Sequence, residues 1–294
     1  MKSTPAGFRR HYGFVVPTSF NPTPHPKEKG DWFYLGIIRL ARRYMQAQGL
    51  EITVEGAENY PSNGGAMIVV NHTGYFDFVY AGIPAYLNGG RLVRFMAKTE
   101  IFENKIAGPL MRKMKHIPVD RHAGADSMKI AIERLRLGQL VGIFPEATIS
   151  RSFELKDFKT GAARIARDAG VPLIPVTIFG SQRVWTKGGK KHLGRCPVPV
   201  WIRVGEAIAP GSDAVESTKQ LHSAMEAQYD QLKQDYIERY GAFEPGLEWM
   251  PQRLGGSAPT KELADQQDAE ERERKRLARE EKKAKLAQKK SRKK

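Results

Sequence analysis

Ala66-Met67-Ile68-Val69-Val70-Asn71-His72-Thr73-Gly74-Tyr75-Phe76-Asp77 is the stretch that decides how this chain is read. Five consecutive apolar residues read as a buried strand. The polar residues after them then sit at the strand's C-terminal mouth, where open α/β sheets place their ligand crevices. A histidine can take a proton near neutral pH. An aspartate five residues on can hold the imidazole in one tautomer and stabilise its charged form. Together His72 and Asp77 can deprotonate a hydroxyl that attacks an activated carbonyl. In isolation the same spacing more often marks only a turn and a helix cap, so the rest of the chain has to decide.

Outward from this stretch, strand-like runs alternate with helix-like ones. Strands are expected at 51–54, 66–70, 92–97, 117–119, 140–144, 173–179 and 198–204. Helices are expected at about 77–87, 101–114, 124–137, 158–169 and 214–240. Repeated strand-then-helix order predicts an α/β fold, a mixed and largely parallel sheet flanked by helices. Three regions follow. Residues 1–30 read as irregular, because Pro17, Pro22, Pro24 and Pro26 favour extended loop. Residues 31–250 form the main domain. Residues 251–294 are a linker and a basic tail, either disordered or a single solvated helix.

The main domain opens with an amphipathic helix at 31–48, for which Asp31 is the expected N-cap and Gly49 the stop. Its aromatic and aliphatic residues, opposed by Arg39, Arg42 and Arg43, suit a helix lying in a membrane interface. They suit equally a helix packed on its own domain. No window approaches the ~18 apolar residues of a spanning helix, so contact with a membrane would be peripheral.

The net charge of +16 favours anionic partners: nucleic acid, an anionic membrane or a phosphorylated substrate. No standard nucleic-acid reader motif is present, so no nucleic acid is expected. Residues 282–294 hold eight Lys or Arg and no acid, which suits an electrostatic tether to anionic lipid or a solubilising tail. The lone Cys196 excludes an internal disulfide and a cysteine metal cage. No metal set is visible.

Three further constellations lie at strand ends. Ile117-Pro118-Val119-Asp120-Arg121 ends a strand in a guanidinium, which can meet a phosphate. Lys98 ends the strand before it in the same manner. Ile143-Phe144-Pro145-Glu146-Ala147-Thr148-Ile149-Ser150-Arg151-Ser152 places Glu146 where it can accept from a substrate hydroxyl or orient a neighbour. Phe158-Lys159-Thr160-Gly161-Ala162 sets a cation at a helix start, a natural anion site. Val171-Pro172-Leu173-Ile174-Pro175-Val176 reads as pure architecture.

Across about residues 50–210, these blocks in this order resemble the glycerolipid acyltransferases, specifically the 1-acyl-glycerol-3-phosphate acyltransferases. The first and third blocks carry the likeness and the other two add little. The resemblance implies acyl transfer from a thioester co-substrate, acyl-CoA or acyl carrier protein, to a glycerol-phosphate hydroxyl, making phosphatidic acid with no bound cofactor. It implies His72 as general base and Asp77 as its orienting partner. Arg121, with Lys98, would bind acceptor phosphate, and Glu146 and Thr148 would line the acceptor site. The expected setting is the cytoplasmic face of the cell membrane. Two residues depart from the family pattern. Ala147 replaces a glycine and should crowd a tight turn. Ile149 replaces an arginine, leaving Arg151 or Lys159 as candidates for its charge. That departure keeps other lipid or glycolipid alcohols open as acceptors. A non-enzymatic nucleic-acid-binding or membrane-binding role is the remaining alternative.

Overall fold

A computed structural model describes residues 4–23, 31–120 and 124–291. The chain divides into two compact units, Met1–Ile149 with Leu155–Phe243, and Ser150–Glu154 with Glu244–Lys294.

In the first unit the described residues build one nine-stranded sheet, in the order β1-β2-β3-β9-β8-β4-β7-β5-β6. The strands are β1 (Phe8–His11), β2 (Phe14–Pro17), β3 (Glu51–Glu55), β4 (Ala66–Val70), β5 (Val93–Lys98), β6 (Ile117–Val119), β7 (Leu140–Ile143), β8 (Leu173–Phe179) and β9 (Pro199–Val204). The run β8-β4-β7-β5-β6 is parallel throughout. The sheet reverses once between β8 and β9, and β1 pairs β2 antiparallel. Every residue of β4 and β8 is buried. That burial on both faces explains why these strands are continuous apolar runs rather than alternating ones.

Residues 8–17 correct the expectation of an irregular N-terminus. They form a hairpin whose second strand joins β3. Phe14, Val15 and Val16 are buried there. Pro17 ends the hairpin, a position where a missing N–H costs nothing.

The helices are α1 (Trp32–Gln48), α2 (Asp77–Leu87), α3 (Thr99–Glu103), α4 (Ala107–Lys113), α5 (Gly124–Arg136), α6 (Gly161–Ala169), α7 (Ala214–Tyr240) and, in the second unit, α8 (Lys261–Ser291). The expected single helix at 101–114 is thus two short ones. Asn104 divides them, its side chain accepting from the amides of Ile106 and Ala107 to start α4. Gly49 ends α1 in the left-handed region, as a C-terminal glycine should.

Asp31 makes no side-chain cap for α1. It is buried instead, and its carboxylate pairs with Arg94 and with Lys115 at 2.9 Å. A buried Arg94 at the start of β5 needs a counter-charge more than a helix end needs a cap, because an unpaired buried charge costs several kcal/mol.

In the second unit Ser150 donates to the carbonyl of Glu154 at 2.7 Å, and Arg253 pairs with Glu154. Helix α8 answers the choice between disorder and helix in favour of helix for the described part of the tail. Pairs such as Arg276 with Glu273 and Glu280 line its surface.

Candidate active site

The parallel strands β4, β7, β5 and β6 lie side by side, so their C-terminal ends share one edge. His72 leaves β4, Glu146 leaves β7 and Lys98 closes β5. With neighbouring strands about 4.8 Å apart, Lys98 lies roughly 10 Å along the edge from His72. Arg121 falls outside the described residues.

His72 and Asp77 come together. The imidazole Nδ1 is 3.1 Å from Asp77 Oδ2, and the same oxygen accepts from the amides of Thr73 and Gly74, each at 2.7 Å. Three donors on one oxygen fix the carboxylate, which is fully buried as the first residue of α2. A carboxylate facing Nδ1 assigns the proton to Nδ1 and leaves the Nε2 lone pair facing outward. The ring stacks on Phe144 with centroids 4.1 Å apart and keeps 20% of its side-chain surface exposed. Phe144 stacks in turn on Phe95 at 5.7 Å. The imidazole is therefore clamped from one face and pinned at one nitrogen, with the other nitrogen accessible.

Glu146 departs from its expected place against the acceptor. It is buried, and both oxygens are taken by backbone: Oε1 accepts from the His72 amide at 2.8 Å and Oε2 from the Lys156 amide at 3.2 Å. It acts as a staple between the ends of β4 and β7. A strand-then-carboxylate pattern does not reveal whether the side chain turns outward or under the loop.

Burial pushes the Glu146 carboxyl up to about 8, the two amide bonds and the Lys156 charge oppose it, and the neighbouring Asp77 charge adds to it. Folded Glu146 thus keeps its proton at pH 7 while the unfolded side chain, near 4.5, loses it. Unfolded protein then binds fewer protons than folded protein, so this group makes stability fall as pH rises from about 4.5 to 8. Urea unfolding of wild type and Glu146→Gln at pH 5, 6.5 and 8 checks this. The wild type should lose stability with pH more steeply than the variant, and parallel curves would contradict it.

Ala147 adopts φ 58°, in the left-handed region that favours glycine. The amide of Ala147 closes the turn onto the Phe144 carbonyl at 3.1 Å. The expected crowding is therefore real, and the turn holds at a cost on the order of 1 kcal/mol. Ile149 is buried. Thr148 Oγ1 accepts from Lys187 Nζ at 3.5 Å. Lys159 is exposed just before α6, and its amide donates to the Pro145 carbonyl at 3.0 Å. Arg151 belongs to the second unit, where it pairs with Asp268 at 3.2 Å and Glu271 at 2.9 Å. Two carboxylates already balance it. Lys187 was not singled out in the sequence, because a Gly- and Lys-rich stretch with no periodicity gives no signal. Among the described residues no His, Cys, Asp and Glu side chains group to hold a metal ion.

Residues 51–179 match a family model described as Acyltransferase. The chain is 35% identical over 145 residues to a 1-acyl-sn-glycerol-3-phosphate acyltransferase of Bacillus subtilis, spanning 48% of this chain and 70% of that protein. It is 34% identical over 156 residues to a chloroplastic enzyme of the same name from Arabidopsis thaliana, spanning 52% of this chain but only 42% of the plant protein. The crystal structure of the 1-acyl-sn-glycerophosphate acyltransferase PlsC from Thermotoga maritima shares its fold with a TM-score of 0.57 and 27% identity, covering 70% of this chain and 82% of that one. With the His72–Asp77 pair at the mouth of a mixed, mostly parallel sheet, the chain belongs to the 1-acyl-sn-glycerol-3-phosphate acyltransferase family.

Proposed function

We infer that this protein moves a fatty acyl chain from an acyl thioester to the free hydroxyl of a 1-acylglycerol 3-phosphate, forming phosphatidic acid. The single observation that carries the reading is the His72–Asp77 pair with Nε2 outward at the strand edge. In the step itself Nε2 takes the acceptor's hydroxyl proton as the oxygen attacks the thioester carbonyl. Asp77 balances the imidazolium. Collapse of the tetrahedral intermediate releases the thiolate, which leaves without strong acid help, and the proton on the imidazole passes to it. No covalent enzyme intermediate is needed. Buried Cys196, whose thiol is pushed up by burial, is no rival nucleophile. An apolar cavity between α1 and α2, lined by Tyr34, Ile38, Met45, Phe78, Val79 and Ile83, supports a hydrocarbon substrate. The proposed donor is an acyl thioester of coenzyme A or of an acyl carrier protein.

The decisive test follows free thiol and lipid product with long-chain acyl-CoA or acyl carrier protein, with and without lysophosphatidic acid. Thiol release that depends on the acceptor, with phosphatidic acid formed, supports the function. Thiol release indifferent to the acceptor means hydrolysis and sinks it.

The same reading places the protein peripherally on an anionic membrane. No helix among the described residues is long and apolar enough to cross one. Instead, Trp32 at the start of α1 is 72% exposed and Ile106 before α4 is 80% exposed. Lys113, one turn after Leu110 on α4, brings its ammonium to 5.3 Å from the Trp32 ring centroid. Exposed aromatic and aliphatic side chains interleaved with cations suit an anionic interface. A Trp32→Glu/Ile106→Glu variant should sediment with phosphatidylglycerol vesicles several-fold less than wild type. Undiminished sedimentation would rule this surface out.

A further inference from the structure

We propose that Lys187 is the ammonium that binds the acceptor's phosphate at the mouth beside His72. The assignment rests on the acyltransferase reading above.

Between β7 and Ile149 the loop carries no cation, and the two that follow in the first unit are buried Lys156, whose charge acts on Glu146, and exposed Lys159 just before α6. Ala147 and Thr148 are uncharged, Ile149 is buried, and Arg151 lies in the second unit against Asp268 and Glu271. Lys187 reaches the same loop from the β8–β9 connection, with Nζ 3.5 Å from Thr148 Oγ1. Thr148 is two residues from Glu146, which itself holds the His72 amide. The lysine therefore meets the loop that holds the His72 amide.

Its placement is fixed by the segment that carries it. The Tyr75 amide donates to the Trp185 carbonyl at 3.0 Å. Thr186 Oγ1 donates to the Thr73 carbonyl at 2.6 Å. The rings of Tyr75 and Trp185 lie 4.4 Å apart. Residues 185 and 186 are thus bolted to residues 73 and 75, between His72 and Asp77. Farther along, Tyr44 Oη donates to the Leu193 carbonyl at 2.6 Å, holding the other end of the connection against α1. A side chain with a fixed base and a flexible stem can follow a phosphate without losing its position.

The surroundings favour an anion. Lys191 lies 4.6 Å from the Trp185 ring centroid, and Lys190 is exposed beside it. Tyr75 is 41% exposed. The lip of the mouth on the β8 side is therefore aromatic and cationic, opposite Lys98 on the β5 side. A phosphate held at Lys187 keeps the rest of the glycerol on the side of His72.

Steady-state kinetics of Lys187→Gln with lysophosphatidic acid and acyl-CoA tests the assignment. Loss of one charge-assisted contact predicts that KM for the acceptor rises about 10- to 100-fold, with donor KM unchanged. Preference for lysophosphatidic acid over uncharged monoacylglycerol should fall by a similar factor. Lys187→Arg should recover most of the affinity, whereas Lys219→Gln, at an exposed lysine of α7 and with the same change in net charge, should behave as wild type. An acceptor KM within twofold of wild type, or a rise in donor KM instead, overturns the assignment. A wild type that ignores lysophosphatidic acid sinks the acyltransferase reading itself. Wild-type turnover with an indifferent Lys187→Gln sinks only the role of Lys187.

Discussion

Replacing His72 by alanine abolishes measurable acyl transfer while leaving the protein folded. Loss of the proposed general base is expected to remove on the order of 10²- to 10⁴-fold in rate. Stability is spared for a structural reason. Among the described residues the ring's hydrogen bond is to Asp77, whose Oδ2 keeps the Thr73 and Gly74 amides when the ring is gone. The contact from His72 to Glu146 runs through the backbone amide, which alanine retains. The measurement is turnover with a saturating thioester and acceptor, paired with a thermal melt. A folded variant with wild-type kcat would remove His72 from the chemistry. A variant that fails to fold would show that the Phe144 stack carries more of the architecture than its geometry indicates.

Asp77→Asn has the second largest expected effect, and it separates charge from orientation. Asp77 Oδ1 is buried with no hydrogen-bond partner, while Oδ2 takes all three donors. An asparagine can put its carbonyl oxygen at the Oδ2 position and its amide nitrogen at the empty one. The donors remain satisfied and Nδ1 keeps its proton. What disappears is the negative charge against the imidazolium. The expected loss is about 10²- to 10⁴-fold in kcat, with the acceptor KM little changed. A drop below tenfold would mean that Asp77 serves mainly as a clamp. A large rise in acceptor KM would mean that it shapes the binding site instead.

These residues differ in how far the sequence betrays them. β4, β7 and β8 are legible because strands buried on both faces must be apolar without interruption, and such runs are short and bounded. Helix α2 is legible because Asp77 begins it. The pairing of His72 with Asp77 follows from that boundary: a tight turn before a helix start brings positions five apart within reach. Four features were not legible. Residues 8–17 pair within a hairpin and with a strand some forty residues away, and local proline content hides that. Asp31 satisfies a buried arginine in another element. Glu146 turns under its loop because two amides wait there. Arg151, adjacent in sequence to the third block, spends its charge on carboxylates more than a hundred residues later. Each depends on a partner distant in the chain, where neither periodicity nor propensity carries information.

The position of β4 between β7 and β8 has a consequence for how the molecule comes into being. Its register partners begin at Leu140 on one side and at Leu173 on the other. The amide that anchors the base belongs to residue 72, but the acceptor for it is residue 146. A growing chain that ends before residue 140 carries the His72–Asp77 motif in full and yet lacks both β7 and the Glu146 carboxylate that ties it there. One that ends before residue 173 leaves β4 as an open edge, with backbone groups ready to pair with another chain. The motif is written early and completed late, so an incomplete copy exposes an aggregation-prone strand rather than a partly working base.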